Sequence, residues 1–244
     1  MIVSPRVVTI APAPTIAHHI VIDIETIDAG EDAILATQEA WQAPSNWKPE
    51  TAAAKRAEMV ERLRDKAALL DASPIVCIGA RSDREAVMFS GGGGADTRID
   101  GWHVIGTDNE RDMLQAFSVW LGTCADLSTT WVGHNVRGFD LPKIRNAFVR
   151  HRLALPESLR PREGAGNPVA DTMHLFRHFS MEHRDDRFVG LDTVAAAFGV
   201  PKPKAVVSGA EVPRLYREGR IAEILTYNAI DIDTTAEIYR LMTA

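Results

Sequence analysis

The chain has 244 residues, 45% of them hydrophobic and 25% charged, which suits one large α/β domain with ample core. Its formal net charge of −6 argues against a general electrostatic nucleic-acid binder, yet leaves room for an enzyme that holds nucleic acid through metals and a local basic patch. Cys77 and Cys124 are too few for a disulfide framework and lack metal-ligand spacing, so they read as reduced core thiols of a cytoplasmic protein.

Met1 to Thr15 carries Arg6 but places Pro5, Pro12 and Pro14 where a signal peptide needs a continuous apolar core. An extended N-terminal arm over residues 1–17 is expected instead. No segment approaches the apolar length of a membrane span. His19-Ile20-Val21-Ile22-Asp23-Ile24-Glu25-Thr26 then reads as a β-strand. Alternation puts Asp23 and Glu25 on one face and Ile20, Ile22 and Ile24 on the other, the pattern of a strand in mid-sheet. Two carboxylates that close repel each other, and a divalent cation relieves the cost. Hard all-oxygen ligation favours Mg²⁺ or Mn²⁺. On its own, Asp-x-Glu on a strand arises often by chance and needs partners from elsewhere.

Residues 28–73 form an excursion, expected to be helical over Glu50 to Leu70. Trp41 and Trp47 precede that helix in a proline-containing loop. They are either a lid that stacks on a base or anchors of the loop on the core, and the anchor reading is favoured. Pro74 to Ala80 and Ala86 to Phe89 read as strands. Gly91 to Gly94 is a turn rather than a phosphate cradle, because no Gly-Lys-Ser/Thr follows. A helix is expected over Asn109 to Leu121, capped by Asn109, with Met113, Leu114, Phe117 and Leu121 at core spacing.

Thr129 to His134 forms another strand and runs into Asn135-Val136-Arg137-Gly138-Phe139-Asp140, where a helix begins with Pro142 in its first turn. Taken alone, Asp140 could be an N-cap, and His134 and Asn135 could hold the turn. Val169 to Asp171 is a short strand leading into a helix over Thr172 to Phe179. His174 and His178 lie at zinc-protease spacing on that helix, but no Glu follows His174, so a solvated face is the better account. Leu191 to Phe198 is helical, ended by Gly199 and Pro201. The last helix, Ile221 to Met242, places Tyr227 and Asp231 one turn apart on one face, with Leu225, Ala229, Ile232 and Ala236 toward the core. No internal repeat or interdomain linker is visible, so residues 1–244 are expected to form a single domain.

Asp23-Ile24-Glu25-Thr26, Gly133-His134-Asn135 with Phe139-Asp140, and Tyr227-x-x-x-Asp231 fall in the order of the three motifs of DEDD exonucleases. Tyr227, four residues before the final acid, marks the DEDDy branch. Over roughly residues 20 to 243, except the 28–73 excursion, the chain resembles the proofreading exonuclease domain of B-family DNA polymerases. The resemblance implies a ribonuclease H-like α/β fold, a mixed five-stranded sheet flanked by helices. It implies 3′-to-5′ hydrolysis of single-stranded or frayed DNA with two Mg²⁺ or Mn²⁺ ions, releasing nucleoside 5′-monophosphates. Asp23, Glu25, Asp140 and Asp231 would hold the metals and Tyr227 would orient the attacking water. Thr26, His134, Asn135 and Phe139 would face the terminal nucleotide, Phe139 by packing more than stacking.

An exoribonuclease of the same chemistry and a non-catalytic nucleic-acid-binding module are the alternatives, and four clustered carboxylates count against the second. No polymerase region is visible, so any polymerase or repair partner would act in trans. Basic residues that could track a backbone are Arg150, Arg152, Arg160 and Arg162, with Lys202 and Lys204.

Overall fold

The computed structural model describes residues 16–93, 96–161, 168–201 and 207–244. Residues 1–15 of the expected arm lie outside the described residues, as do Gly94, Arg162, Lys202 and Lys204. The strands are β1 (His19–Thr26), β2 (Ile75–Arg81), β3 (Ala86–Ser90), β4 (Thr97–Ile99), β5 (Trp102–Gly106), β6 (Thr130–Gly133) and β7 (Val169–Asp171). The helices are α1 (Glu31–Ala40), α2 (Pro49–Asp65), α3 (Glu110–Cys124), α4 (Asp140–Arg150), α5 (Thr172–Phe176), α6 (Leu191–Phe198), α7 (Val212–Arg217) and α8 (Ile221–Thr243).

One mixed sheet runs in the order β4-β5-β3-β2-β1-β6-β7. β1 pairs antiparallel with β2 and parallel with β6, and β7 continues the parallel edge. The expected five strands are thus seven. The addition is the β4–β5 hairpin, turned by Asp100-Gly101, both at positive φ (46° and 89°). Asp-Gly is a strong hairpin signal, but β4 exposes two of its three residues and so carries no apolar alternation that would mark it.

The alternation in β1 divides the core as its sequence implies. Ile20, Ile22 and Ile24 pack with Met113, Leu114 and Phe117 of α3 and Leu141, Ile144 and Phe148 of α4. Val21 faces the other side, with Val132, Leu215 of α7, and Leu225, Ala229 and Ile232 of α8. Asp23 and Glu25 share the Val21 side, so both acids lie under α8. Met173 and Phe176 of α5, Val194 and Ala195 of α6 and Ile238 of α8 close a third cluster. Asn109 caps α3 as expected, its Oδ1 accepting from the Asp112 amide at 3.0 Å. Gly199, at φ 66°, ends α6 in the left-handed conformation that glycine adopts without strain.

The 28–73 excursion is a pair of helices, α1 and α2, around a small cluster of Ile34, Val60 and Ala67. The two indoles in its connection pack on each other, ring centroids 6.3 Å apart, with the Arg56 guanidinium 5.6 Å from the Trp41 ring. They anchor the connection to itself rather than to the main core. Two side chains fasten the root of the excursion to the sheet layer. Thr26 Oγ1 donates to Ala68 O at 2.6 Å, and the buried Lys143 ammonium of α4 donates to Leu70 O and Ser73 Oγ. Burial lowers the Lys143 pKa to about 8.

Candidate active site

The site begins with a missing side chain. Asp23 lies opposite Gly79 in the β1–β2 register, and Glu25 lies opposite Cys77. A Cβ at position 79 would overlap Asn228 Oδ1 and Ile232 Cδ1, so the glycine lets α8 press directly onto the sheet beside the acids. Asn228, fully buried, donates from Nδ2 to Asp23 Oδ2 at 2.7 Å. Glu25 and Asp231 are buried, and Asp23 is half-buried.

Tyr227 is hydrogen-bonded to Asp231, one turn further along α8. Burial, and then the negative charges of Asp231, Glu25 and Asp23, push its phenol pKa well above the ordinary tyrosine value. Three carboxylates from two distant segments thus lie within electrostatic reach of one hydroxyl, and Asp231 alone is hydrogen-bonded to it. Among the described residues no group of three acids, histidines or cysteines closes to the spacing of a bound ion. The donors are all oxygen, and repulsion among them is what a hard divalent cation relieves, so the residues fit Mg²⁺ or Mn²⁺.

Asp140 occupies the crevice at the carboxyl ends of the parallel strands. β6 pairs with β1 only as far as Val21, which leaves the Ile24 amide beyond its end. Asp140 Oδ1 takes that amide at 3.1 Å. It is therefore not a helix cap: Phe139 holds the N-cap position and makes no side-chain cap bond. Burial raises the Asp140 pKa to about 7, opposed by its amide bonds and assisted by the charge of Asp171.

Asp171, at the end of β7, accepts from the amides of Asn135 at 3.0 Å, Arg137 at 3.0 Å and Met173 at 3.1 Å. One buried carboxylate thus shapes the loop after β6 and caps α5. Asn135 adopts φ 61°, a left-handed conformation that asparagine tolerates better than most residues.

The other expected substrate contacts are engaged in the fold. His134 Nε2 contacts Val189 O at 2.7 Å and its Nδ1 contacts Thr172 Oγ1 at 3.0 Å, so the ring latches β6 to the segments around α5 and α6. The Thr26 hydroxyl is spent on Ala68 O. Phe139 packs against the α3–α4 core, with the Lys143 ammonium 6.0 Å from its ring. Of the basic residues, Arg150 is bound by Glu110 at 2.6 and 2.8 Å, and Arg160 donates to Leu155 O at 3.2 Å. His174 and His178 are exposed, as a solvated face requires.

Asn228, Asp171 and Gly79 take part without having been singled out in the sequence. Asn228 had one signal, a polar residue beside Tyr227 at a position facing the core. Asp171 had another, an acid at the carboxyl end of a strand. Nothing local marks Gly79, whose importance comes from a helix some 150 residues away.

A mixed sheet flanked by helices, with acids gathered at the carboxyl ends of its central parallel strands, makes this a ribonuclease H-like α/β fold. Within that class, residues 95–243 match the family described as a predicted 3′-5′ exonuclease related to the exonuclease domain of PolB, and the chain belongs to that family. The matched span contains Asp140, Tyr227 and Asp231 and begins after Asp23 and Glu25. No curated protein matches the chain. Among the described residues no helix is long and apolar enough to cross a membrane.

Proposed function

We propose that this protein hydrolyses phosphodiester bonds from the 3′ end of single-stranded or frayed DNA and releases nucleoside 5′-monophosphates. The observation that carries the reading is the docking of α8 on β1 through the Asn228–Asp23 bond, which brings Tyr227 and Asp231 to the side of the sheet that holds Asp23 and Glu25. In this reading Asp23, Glu25, Asp140 and Asp231 would hold two divalent ions. When bound, such a pair polarises the scissile phosphate, lowers the pKa of a water and stabilises the leaving 3′ oxygen.

The chain's own groups do the rest. With its pKa raised, Tyr227 keeps its proton at neutral pH, so it orients the attacking water by hydrogen bonding and does not deprotonate it. Asn135 contacts the terminal nucleotide from its left-handed turn. Thr26, His134 and Phe139 shape the pocket from behind, because their polar atoms or ring faces are committed to the fold. The two buried thiols, Cys77 and Cys124, are consistent with a reducing, cytoplasmic setting. Residues 1–244 act as one nuclease domain, with 28–73 appended to it.

The test is release of mononucleotides from labelled DNA and RNA oligomers of one sequence with Mg²⁺, beside an Asp23→Ala control. DNA is expected to be the better substrate, and Asp23→Ala to lose nearly all activity while staying folded. Faster RNA trimming would transfer the assignment to an exoribonuclease. Binding without release would make the protein a nucleic-acid-binding module.

A further inference from the structure

We infer that Asn228 is a positioning residue, whose side-chain amide fixes the orientation of Asp23 and thereby sets the affinity of the metal site. The inference rests on the metal-dependent reading above and adds to it a residue outside the four acids and the tyrosine.

Three observations carry it. Asn228 is wholly buried in α8, and its Nδ2 donates to Asp23 Oδ2 at 2.7 Å, across 205 residues of sequence. The amide lies over Gly79, the residue opposite Asp23 in β2, and any side chain there would overlap it. Its other end, Oδ1, is buried and accepts no hydrogen bond among the described residues.

The last point separates function from packing. A buried acceptor left unpaired weakens a fold, whereas an apolar side chain of the same size would fill the place without that penalty. Stability alone therefore does not explain an asparagine here. Its one bond goes to an acid that must present an oxygen in a fixed direction. A carboxylate turns about its last torsion in a broad well, and a donor on one oxygen selects which lone pairs of the other face a cation.

The experiment uses the full chain and Mn²⁺ alone, titrated calorimetrically into wild type, Asn228→Leu and Asn228→Ala, beside melting temperatures in chelator. Asn228→Leu keeps the branched shape and removes the donor; Asn228→Ala gives the same comparison if the larger leucine does not fold. Mn²⁺ affinity is expected to fall about 10- to 100-fold, the usual cost of losing a partner of a metal ligand. Melting of Asn228→Leu without metal should be unchanged or higher, and saturating Mn²⁺ should restore most of the turnover number on single-stranded DNA.

A structural asparagine gives the opposite pattern, a lower melting temperature with Mn²⁺ affinity unchanged, and that result overturns the inference. Mn²⁺ binding by wild type that persists undiminished in both variants removes this proposal alone. Failure of wild type to bind Mn²⁺ removes the metal-dependent reading and this proposal with it.

Discussion

At the scale of single residues, Tyr227 and Asp231 share one helix face and one hydrogen bond, but their proposed roles differ. Tyr227→Phe removes a hydroxyl at the reacting centre and leaves the acids in place. Its rate should fall about 10- to 1000-fold with fold and Mn²⁺ affinity unchanged. Asp231→Asn should weaken metal binding instead, so raising Mg²⁺ or Mn²⁺ should recover part of its activity. Rate measurements across a metal titration check the pair. Wild-type turnover by Tyr227→Phe at saturating metal would make the tyrosine structural. The sequence revealed these side chains because their spacing is local: two residues along a strand, four along a helix. It could not reveal that His134 and Thr26 would be consumed by Val189 and Ala68, since those partners lie 55 and 42 residues away.

At the scale of elements, the site depends on how closely α8 lies on β2. Gly79→Ala puts a methyl group where Asn228 and Ile232 now sit. Overpacking of this kind costs about 1–3 kcal/mol, readable as a lower urea midpoint. Because the methyl also displaces the Asn228 amide, the metal concentration for half-maximal activity should rise together with the loss of stability. A stable Gly79→Ala with unaltered metal dependence would show that the close approach is not needed. β1, α3, α6 and α8, which bury at least two residues each, were legible in advance. α1 and β4 were not, because α1 buries only Ile34 and β4 has no buried residue; β5 buries Trp102 and Val104 but is only five residues long. Elements that bury so little have no reason to carry an apolar stripe.

At the scale of the whole molecule, Asp140 ties stability to pH. Its pKa is about 7 when folded, against an ordinary value of 3.8. Between those values the folded protein holds a proton that the unfolded chain has released. The contribution of Asp140 is therefore fully present below the ordinary value and is lost as pH rises through the folded one. In chelator the urea midpoint should drop between about pH 4 and about pH 7, and Asp140→Asn should flatten that slope. A slope that is the same in the variant would assign it to other groups.

The proposed reaction makes a prediction about substrate at this scale too. In that reading one strand would bring its terminal phosphodiester to the crevice at the ends of β1 and β6, so a paired end would first have to open. Opening costs roughly 1–2 kcal/mol per base pair, so frayed or single-stranded 3′ ends should be degraded faster than blunt duplex. Equal rates on the two would count against the proposed geometry.

The Asn228–Asp23 bond closes a loop of 205 residues, and every residue that α8 lends to the site waits on that closure. Contacts between segments so far apart in the chain form late, since their loop entropy is lost before their packing is gained. The nuclease is therefore assembled last: β1 can find β2 and β6 while its acids still lack Tyr227 and Asp231. In a refolding experiment, secondary structure should recover before strand hydrolysis, and the lag between the two signals measures the docking of one helix. A chain still being made, or only partly folded, would carry the acids of β1 without the means to cut.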